Sequence, residues 1–177
     1  MARLGLTSTN CVRDVDARHF GRGMTILISR KLGYTTAMAY DQNNIFAKIL
    51  RGDIPCHKLY EDGDTLVFLD IMPRTEGHAL VITKEKANDL FDIKPEALAK
   101  LVAVVQKLAL KIKEAVGADG VLIQQFNGSA AGQTVFHLHF HIVPIKQGVP
   151  VKPHAGIMED QAKLDVTAEK IRKKLKG

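Results

Sequence analysis

One stretch of this chain, residues 131–144, constrains the fold more than any other and reads AGQTVFHLHFHIVP. Histidines and apolar residues alternate strictly along its centre: His137, Leu138, His139, Phe140, His141 and Ile142. This alternation predicts a half-buried β-strand. Because successive side chains of a strand point to opposite faces, we expect the three imidazoles on one face and the apolar side chains on the other.

The histidine face should line a polar cleft, because three neighbouring imidazoles are costly to bury in an apolar core. Residues 128–134, just before the strand, are mostly small, and such a loop can bring backbone N–H groups close to an anion. Strand and loop together favour a nucleophilic histidine that faces a phosphate. Two alternatives stay open. One is a structural strand whose rings all have core partners. The other is a zinc site that uses two of the histidines and an outside ligand.

The strand and several upstream blocks resemble the histidine triad family. HLHFHIV at 137–143 matches the family signature, and blocks at 45–49, 52–55, 60–62, 68–71 and 77–82 follow in the family's order. The resemblance covers roughly residues 43 to 150. It is closest to a bacterial branch that resembles the nucleoside phosphoramidate hydrolases. The chain also lacks the glutamine that the dinucleoside-polyphosphate branch places after the triad.

The resemblance implies a role for each of four histidines. His139 would be the nucleophile, and His141 would contact the phosphate and assist the leaving group. His137 and His78 would orient the nucleophile from behind. Taken alone, His78 is better explained as a core histidine of an apolar strand.

The resemblance also implies a nucleotide pocket, formed by Phe46, Ile49, Phe68, Asp70, Ile71, Asn127, Gly132, Gln133 and Thr134. Asp70 would accept hydrogen bonds from the ribose, although a solvated strand cap is an equal alternative. Gln133 and Thr134 would contact the phosphate through backbone N–H and hydroxyl groups. The apolar members could equally be ordinary core.

The chain departs from the family at two places. Phe126 replaces the first asparagine of a pair before the loop glycine, which leaves one phosphate or ribose contact unassigned. Some bacterial relatives bind zinc through four positions that correspond here to Asn44, Ala47, Lys86 and His137. One ligand cannot make a closed tetrahedral site, so we expect no metal and no cofactor.

The pattern of elements predicts an α+β architecture, with an antiparallel sheet and helices on one side. The resemblance implies the same architecture as a histidine triad (HIT-like) fold with a five-stranded sheet. The elements should be a short helix at 44–50, strands at 58–61, 65–70, 78–83, 121–125 and 136–145, a long helix from Pro95 to Gly117, and a C-terminal helix at 162–176. The triad domain would span residues 38–150, followed by a tail and helix at 151–177. The resemblance implies that the sheet continues across a two-fold homodimer.

Residues 1–37 carry no family block, and their six basic and two acidic residues supply most of the formal net charge of +6. We expect a disordered extension or sequence upstream of the true start, with Met24 and Met38 as alternative starts. The two cysteines form no motif, which fits a reducing compartment such as the cytoplasm. No apolar run reaches the ~18 residues of a membrane span.

The basic C-terminal helix has an apolar stripe, Leu164, Ala168, Ile171 and Leu175, that should pack on the domain. A nucleic-acid or membrane-surface patch is the weaker alternative. The leading hypothesis is an enzyme that cleaves purine nucleoside 5′-phosphoramidates or related phosphate esters through a covalent nucleotidyl-histidine. The alternative is a regulatory module that binds AMP-like nucleotides with little turnover.

Overall fold

The computed structural model describes residues 39–154 and 156–176. The elements are α1 (Ile45–Arg51), β1 (Lys58–Glu61), β2 (Thr65–Leu69), β3 (Ala79–Thr83), α2 (Pro95–Val116), β4 (Gly120–Gln124), β5 (His139–Ile145) and α3 (Gln161–Lys176). A short 3₁₀ turn, Ser129–Ala131, lies between β4 and β5. The α+β prediction is therefore confirmed. The expectation for residues 1–37 lies outside the described residues.

The five strands form one antiparallel sheet in the order β1-β2-β3-β5-β4. The triad strand β5 is thus interior, with β3 on one side and β4 on the other. His139 lies opposite Ile82, and His141 lies opposite Leu80 and Gln124. Hydrogen bonding on both edges of β5 fixes the register that presents these two histidines.

Both faces of the sheet are covered, so the prediction of helices on one side is wrong. One face buries Val67 and Val81 against α2 and α3. On the other face, Phe46 of α1 packs with Leu66, Phe68, Leu80 and Ile82. The reason is that β2 and β3 are buried at every position, and strands that are apolar on both sides need cover on both.

The ends of α1 and α2 lie within one residue of their predicted positions. The Asn44 side chain accepts a hydrogen bond from the Ala47 N–H and caps α1, as short polar residues do. Pro95 begins α2, where its missing N–H costs nothing. Gly117 ends α2 with φ 62°, in the left-handed region that favours glycine.

The triad strand begins at His139, three residues after the predicted start at residue 136, because the backbone before His139 bonds elsewhere. The N–H of His137 donates to the Val135 carbonyl at 2.9 Å, and the N–H of Leu138 donates to the Ala87 carbonyl at 2.8 Å. His137 therefore lies outside β5, although its ring remains on the same face as those of His139 and His141.

Helix α3 packs on the domain as predicted, with Leu164, Ala168 and Ile171 buried in the main core. His57 also contacts α3, with one ring nitrogen 2.9 Å from an oxygen of Asp165 and the other 2.9 Å from that of Gln161. Four basic residues of α3 form ion pairs: Lys163, Lys170, Arg172 and Lys174. This weakens the alternative of a free basic patch. Within the described residues, no helix combines the length and apolarity needed to cross a bilayer.

Candidate active site

A cavity of about 190 Å³ opens on the α1 face of the sheet, beside the triad strand. Its apolar end is lined by residues of α1, the loop after it and β2, among them Ile49, Ile54 and Phe68. Its polar end is lined by Asp70, Thr134, His139, His141 and His154. A larger cavity of about 330 Å³ lies next to α3, but it touches none of the triad histidines.

The structure brings most of the predicted site residues to this one cavity. Eight of them line it: Phe46, Ile49, Phe68, Asp70, Ile71, Thr134, His139 and His141. His78 and His137 are fully buried and do not line this cavity, and their expected orienting role stays a prediction. Asn127, Gly132 and Gln133 belong to the adjoining loop and do not line the cavity.

His139 has its reactive tautomer set by the backbone. Its Nδ1 lies 2.6 Å from the carbonyl oxygen of His137, which can only accept, so Nδ1 carries the proton. Nε2 therefore holds a lone pair. The ring stands between Phe46, with centroids 5.0 Å apart, and His141, at 4.9 Å.

His137 is held through both of its ring nitrogens. Nε2 donates to the Thr83 carbonyl at 2.8 Å, so Nδ1 is an acceptor, and the Tyr40 hydroxyl donates to it at 2.5 Å. The rings of Tyr40 and His137 also meet edge to face, with centroids 5.6 Å apart. Tyr40 precedes every family block and gives no local signal of this contact, so its role could not be predicted from the sequence.

A chain of hydrogen bonds sets the protons of His78 and His141. The Arg74 N–H donates to His78 Nδ1 at 3.2 Å, so His78 Nε2 carries the proton and donates to His141 Nδ1 at 3.0 Å. His141 Nε2 must then be an N–H, and it is buried without a partner among the described residues. Asp70 Oδ2 lies 3.5 Å from His78 Nδ1, but that nitrogen accepts the Arg74 N–H and carries no proton, so it cannot donate to the carboxylate.

Burial lowers the pKa of all four histidines, because desolvation disfavours the charged imidazolium. The pKa of His78 and of His137 falls to about 4, and that of His141 to about 2. The pKa of His139 is lowered by the same cause, against the hydrogen bond to the His137 carbonyl, which raises it. All four rings are therefore neutral at pH 7.

Asp70, His78 and His141 have ligand atoms within 4.8 Å of one another, close enough to suit a metal ion. However, both nitrogens of His78 and the Nδ1 of His141 already take part in the hydrogen-bond chain. A metal would have to break those bonds. The arrangement is better explained as a chain of hydrogen bonds that fixes which ring nitrogens carry protons.

The glycine-containing loop is braced by its own polar side chains. Gln133 Oε1 accepts from the Gly128 N–H at 2.7 Å, and its Nε2 donates to the Asn88 carbonyl at 2.6 Å. The backbone N–H of Gln133 also bonds to the Gly128 carbonyl. Asn127 Oδ1 accepts from the Leu90 N–H at 2.9 Å. Gln133 and Asn127 thus shape the loop, and their expected contacts with a nucleotide stay predictions.

Phe126 and His154 both pack against His141, a contact that was not predicted from the sequence. The Phe126 ring packs against His141, with centroids 5.5 Å apart, and against His154, at 5.4 Å. His154 also meets His141 at 5.2 Å. The residue that departs from the family pattern is therefore packed against the site. His154 itself follows no motif, so only the tertiary structure could reveal it.

Comparison with known proteins matches residues 51–148 to the family model described as the HIT domain. The chain belongs to the HIT domain family. An adenosine 5′-monophosphoramidase of Schizosaccharomyces pombe is 45% identical over 56% of this chain and 72% of its own length. An adenylylsulfatase of Arabidopsis thaliana is 36% identical over 72% of this chain and 64% of its own.

A solved HIT-like protein of Bartonella henselae, described as involved in cell-cycle regulation, superposes with a TM-score of 0.73. It is 46% identical, and the match covers 77% of this chain and 98% of that one. The recognition of the family and the HIT-like fold are thus confirmed. His154 lies beyond the residues that the HIT model covers.

Proposed function

We propose that this HIT protein hydrolyses a nucleotide at phosphorus, through a covalent intermediate on His139. One observation carries the proposal. Within the described residues, every ring nitrogen of His78, His137, His139 and His141 has a hydrogen-bond partner except two. These are Nε2 of His139, which holds a lone pair, and Nε2 of His141, which carries a proton. Both belong to side chains that line the cavity.

The two free nitrogens suit a two-step displacement. The His139 Nε2 lone pair attacks phosphorus, and the bond to the leaving group breaks with its electron pair, which takes a proton from solvent. Water then attacks phosphorus, the P–N bond to His139 breaks, and the proton of the water returns to solvent. The His141 N–H donates a hydrogen bond to a phosphoryl oxygen and stabilises the charge that develops there.

The proposed substrate is a purine nucleoside 5′-phosphoramidate or a related phosphate ester. The cavity has an apolar end that suits a flat base and a carboxylate, Asp70, near its polar end. The relatives named as an adenosine 5′-monophosphoramidase and an adenylylsulfatase support an adenylyl group joined to nitrogen or oxygen. Release of AMP and of the amine completes the reaction.

A fluorogenic adenosine phosphoramidate tests the proposal directly. We expect many turnovers for each active site, and loss of turnover by several orders of magnitude in His139→Asn with AMP affinity nearly unchanged. An alkaline quench, which preserves phosphoryl-histidine, followed by mass spectrometry should find the nucleotidyl group on His139. Tight AMP binding without turnover would instead support the regulatory module, and an adduct on another histidine would overturn the mechanism.

We also propose that the protein acts as a homodimer in the cytoplasm. The edge strand β4 exposes Leu122 and Ile123, and the neighbouring helix α2 exposes Leu110 to 58%. An apolar sheet edge of this kind needs a partner. Val104, also expected to face a partner, instead packs on the core. Sedimentation at tens of micromolar should show a dimer in the wild type, and a monomer there would refute the pairing.

A further inference from the structure

The polar end of the cavity contains a fifth histidine, His154, which comes from the linker between β5 and α3. It lies outside the residues matched by the HIT model, 51–148. Its ring is half-buried and lines the cavity beside His141. No hydrogen bond joins either ring nitrogen to the residues that the structure describes, so both are available to a ligand.

Residues before and after His154 form hydrogen bonds with the turn that follows Asp70. Before it, the Lys152 N–H donates to the Arg74 carbonyl at 3.0 Å, and Arg74 Nε donates to the Lys152 carbonyl at 3.1 Å. After it, the Glu159 N–H donates to the Ile71 carbonyl at 2.8 Å. The linker is thus tied twice to the turn after Asp70. His154 lies between these two anchors along the chain.

The order of rings along the cavity shows which part of a substrate His154 would meet. Successive ring centroids lie 5.0 Å apart from Phe46 to His139, 4.9 Å from His139 to His141, and 5.2 Å from His141 to His154. Phe46 belongs to the apolar end. A nucleotide with its base at that end and its phosphorus at His139 therefore leaves His141 and His154 on the side away from the nucleoside.

We propose that His154 determines leaving-group specificity, by hydrogen bonding to the group that departs from phosphorus. This inference rests on the proposed function. It predicts a preference for amines that retain an N–H on the departing nitrogen, which an imidazole nitrogen can accept. Phe126 also packs against the His154 ring, with centroids 5.4 Å apart, and carries no hydrogen-bonding side-chain group.

Two variants separate hydrogen bonding from packing. His154→Phe keeps an aromatic ring against Phe126 and His141 but removes both nitrogens, whereas His154→Gln restores a donor and an acceptor. His57→Gln is the matched control. His57 also joins the domain to the C-terminal segment, through Asp165 and Gln161, but does not line the cavity.

The assay compares adenosine 5′-phosphoramidate, whose leaving nitrogen carries hydrogens, with the piperidine amidate of AMP, whose leaving nitrogen carries none. We expect His154→Phe to lower kcat/KM about 3- to 10-fold for the first substrate, the worth of one hydrogen bond, and less than about 2-fold for the second. His154→Gln should recover part of the loss. AMP has no leaving group, so its Kd should stay within about 2-fold, and His57→Gln should behave as wild type.

Equal losses on both substrates, the same loss in His57→Gln, or unchanged kinetics in His154→Phe would overturn the inference while leaving the proposed function intact. Weaker AMP binding would also overturn it, because the contact would then be with the phosphate. If wild-type protein turned over neither substrate, the proposed function would fail, and this inference with it.

Discussion

Tyr40→Phe tests whether the hydroxyl that bonds to His137 positions the nucleophile. The substitution removes one oxygen and keeps the aromatic ring, so the edge contact with His137 at 5.6 Å is retained. What is lost is the donor to His137 Nδ1. His137 is fully buried, and its carbonyl in turn accepts the proton of His139 Nδ1.

The expected magnitude follows from these contacts. Leaving a buried acceptor unpaired costs about 1–3 kcal/mol. Tyr40 itself is only partly buried, so water can reach the vacated position, and we expect about 1–2 kcal/mol of destabilisation. If about 1 kcal/mol of that loss raises the activation free energy of the reaction, kcat falls about 5-fold. AMP affinity should not change, because Tyr40 does not line the cavity.

Urea unfolding and steady-state kinetics measure the two effects, with Tyr60→Phe as the matched control. The Tyr60 hydroxyl donates to Asp62 at 2.9 Å near the β1–β2 turn, where Asp62 has other donors and stays satisfied. That variant should lose less than about 1 kcal/mol and keep wild-type kcat. If Tyr40→Phe matched Tyr60→Phe in both assays, or lost stability with kcat intact, the positioning role would be refuted.

Three further predictions concern acid, the N-terminus and metal. An unfolded histidine titrates near 6.5 and the buried His78 and His137 near 4. Between these values the unfolded state therefore binds more protons than the folded state. The free energy of unfolding should be highest above pH 6.5 and should fall by up to about 1.4 kcal/mol per pH unit for each ring as the pH drops towards 4. A urea midpoint that does not change over this pH range would contradict the prediction. A shorter chain that starts at Met38 keeps Tyr40, and should keep its melting temperature to within a few degrees and its turnover; a larger drop would mean that residues 1–37 stabilise the domain. Protein purified without added zinc should contain none by mass spectrometry, because His137 already uses both ring nitrogens; stoichiometric zinc that survives dialysis against a chelator would disprove it.

The parts of the fold that could be predicted from the sequence depend on neighbours along the chain. The alternation of His139 and His141 with apolar residues, the cap at Asn44 and the stop at Gly117 are all decided within a few residues. The family resemblance added the residues of the cavity, because it carries tertiary information that no local pattern contains.

The parts that could not be predicted depend on partners that are distant in sequence. Tyr40 bonds to His137 across 97 residues, and His78 bonds to His141 across 63. The late start of β5 has the same origin, since the Leu138 N–H bonds to the Ala87 carbonyl rather than to a neighbouring strand. His154 lines the cavity although it lies far along the chain from the other lining residues of α1 and β2.

Burial and chemistry have a common cause in this site. A buried imidazole is tolerated only if its polar atoms find partners, and six of the eight ring nitrogens of the four buried histidines do so through the contacts described above. Each of those contacts also fixes which ring nitrogen carries the proton, because a carbonyl oxygen can bond only to an N–H and a donor can bond only to a nitrogen with a lone pair. The hydrogen bonds that make the cluster stable therefore leave one lone pair, on His139, and one N–H, on His141, without a partner among the described residues, and both side chains line the cavity. Desolvation keeps both rings neutral at pH 7, so the lone pair stays available for attack without a separate base.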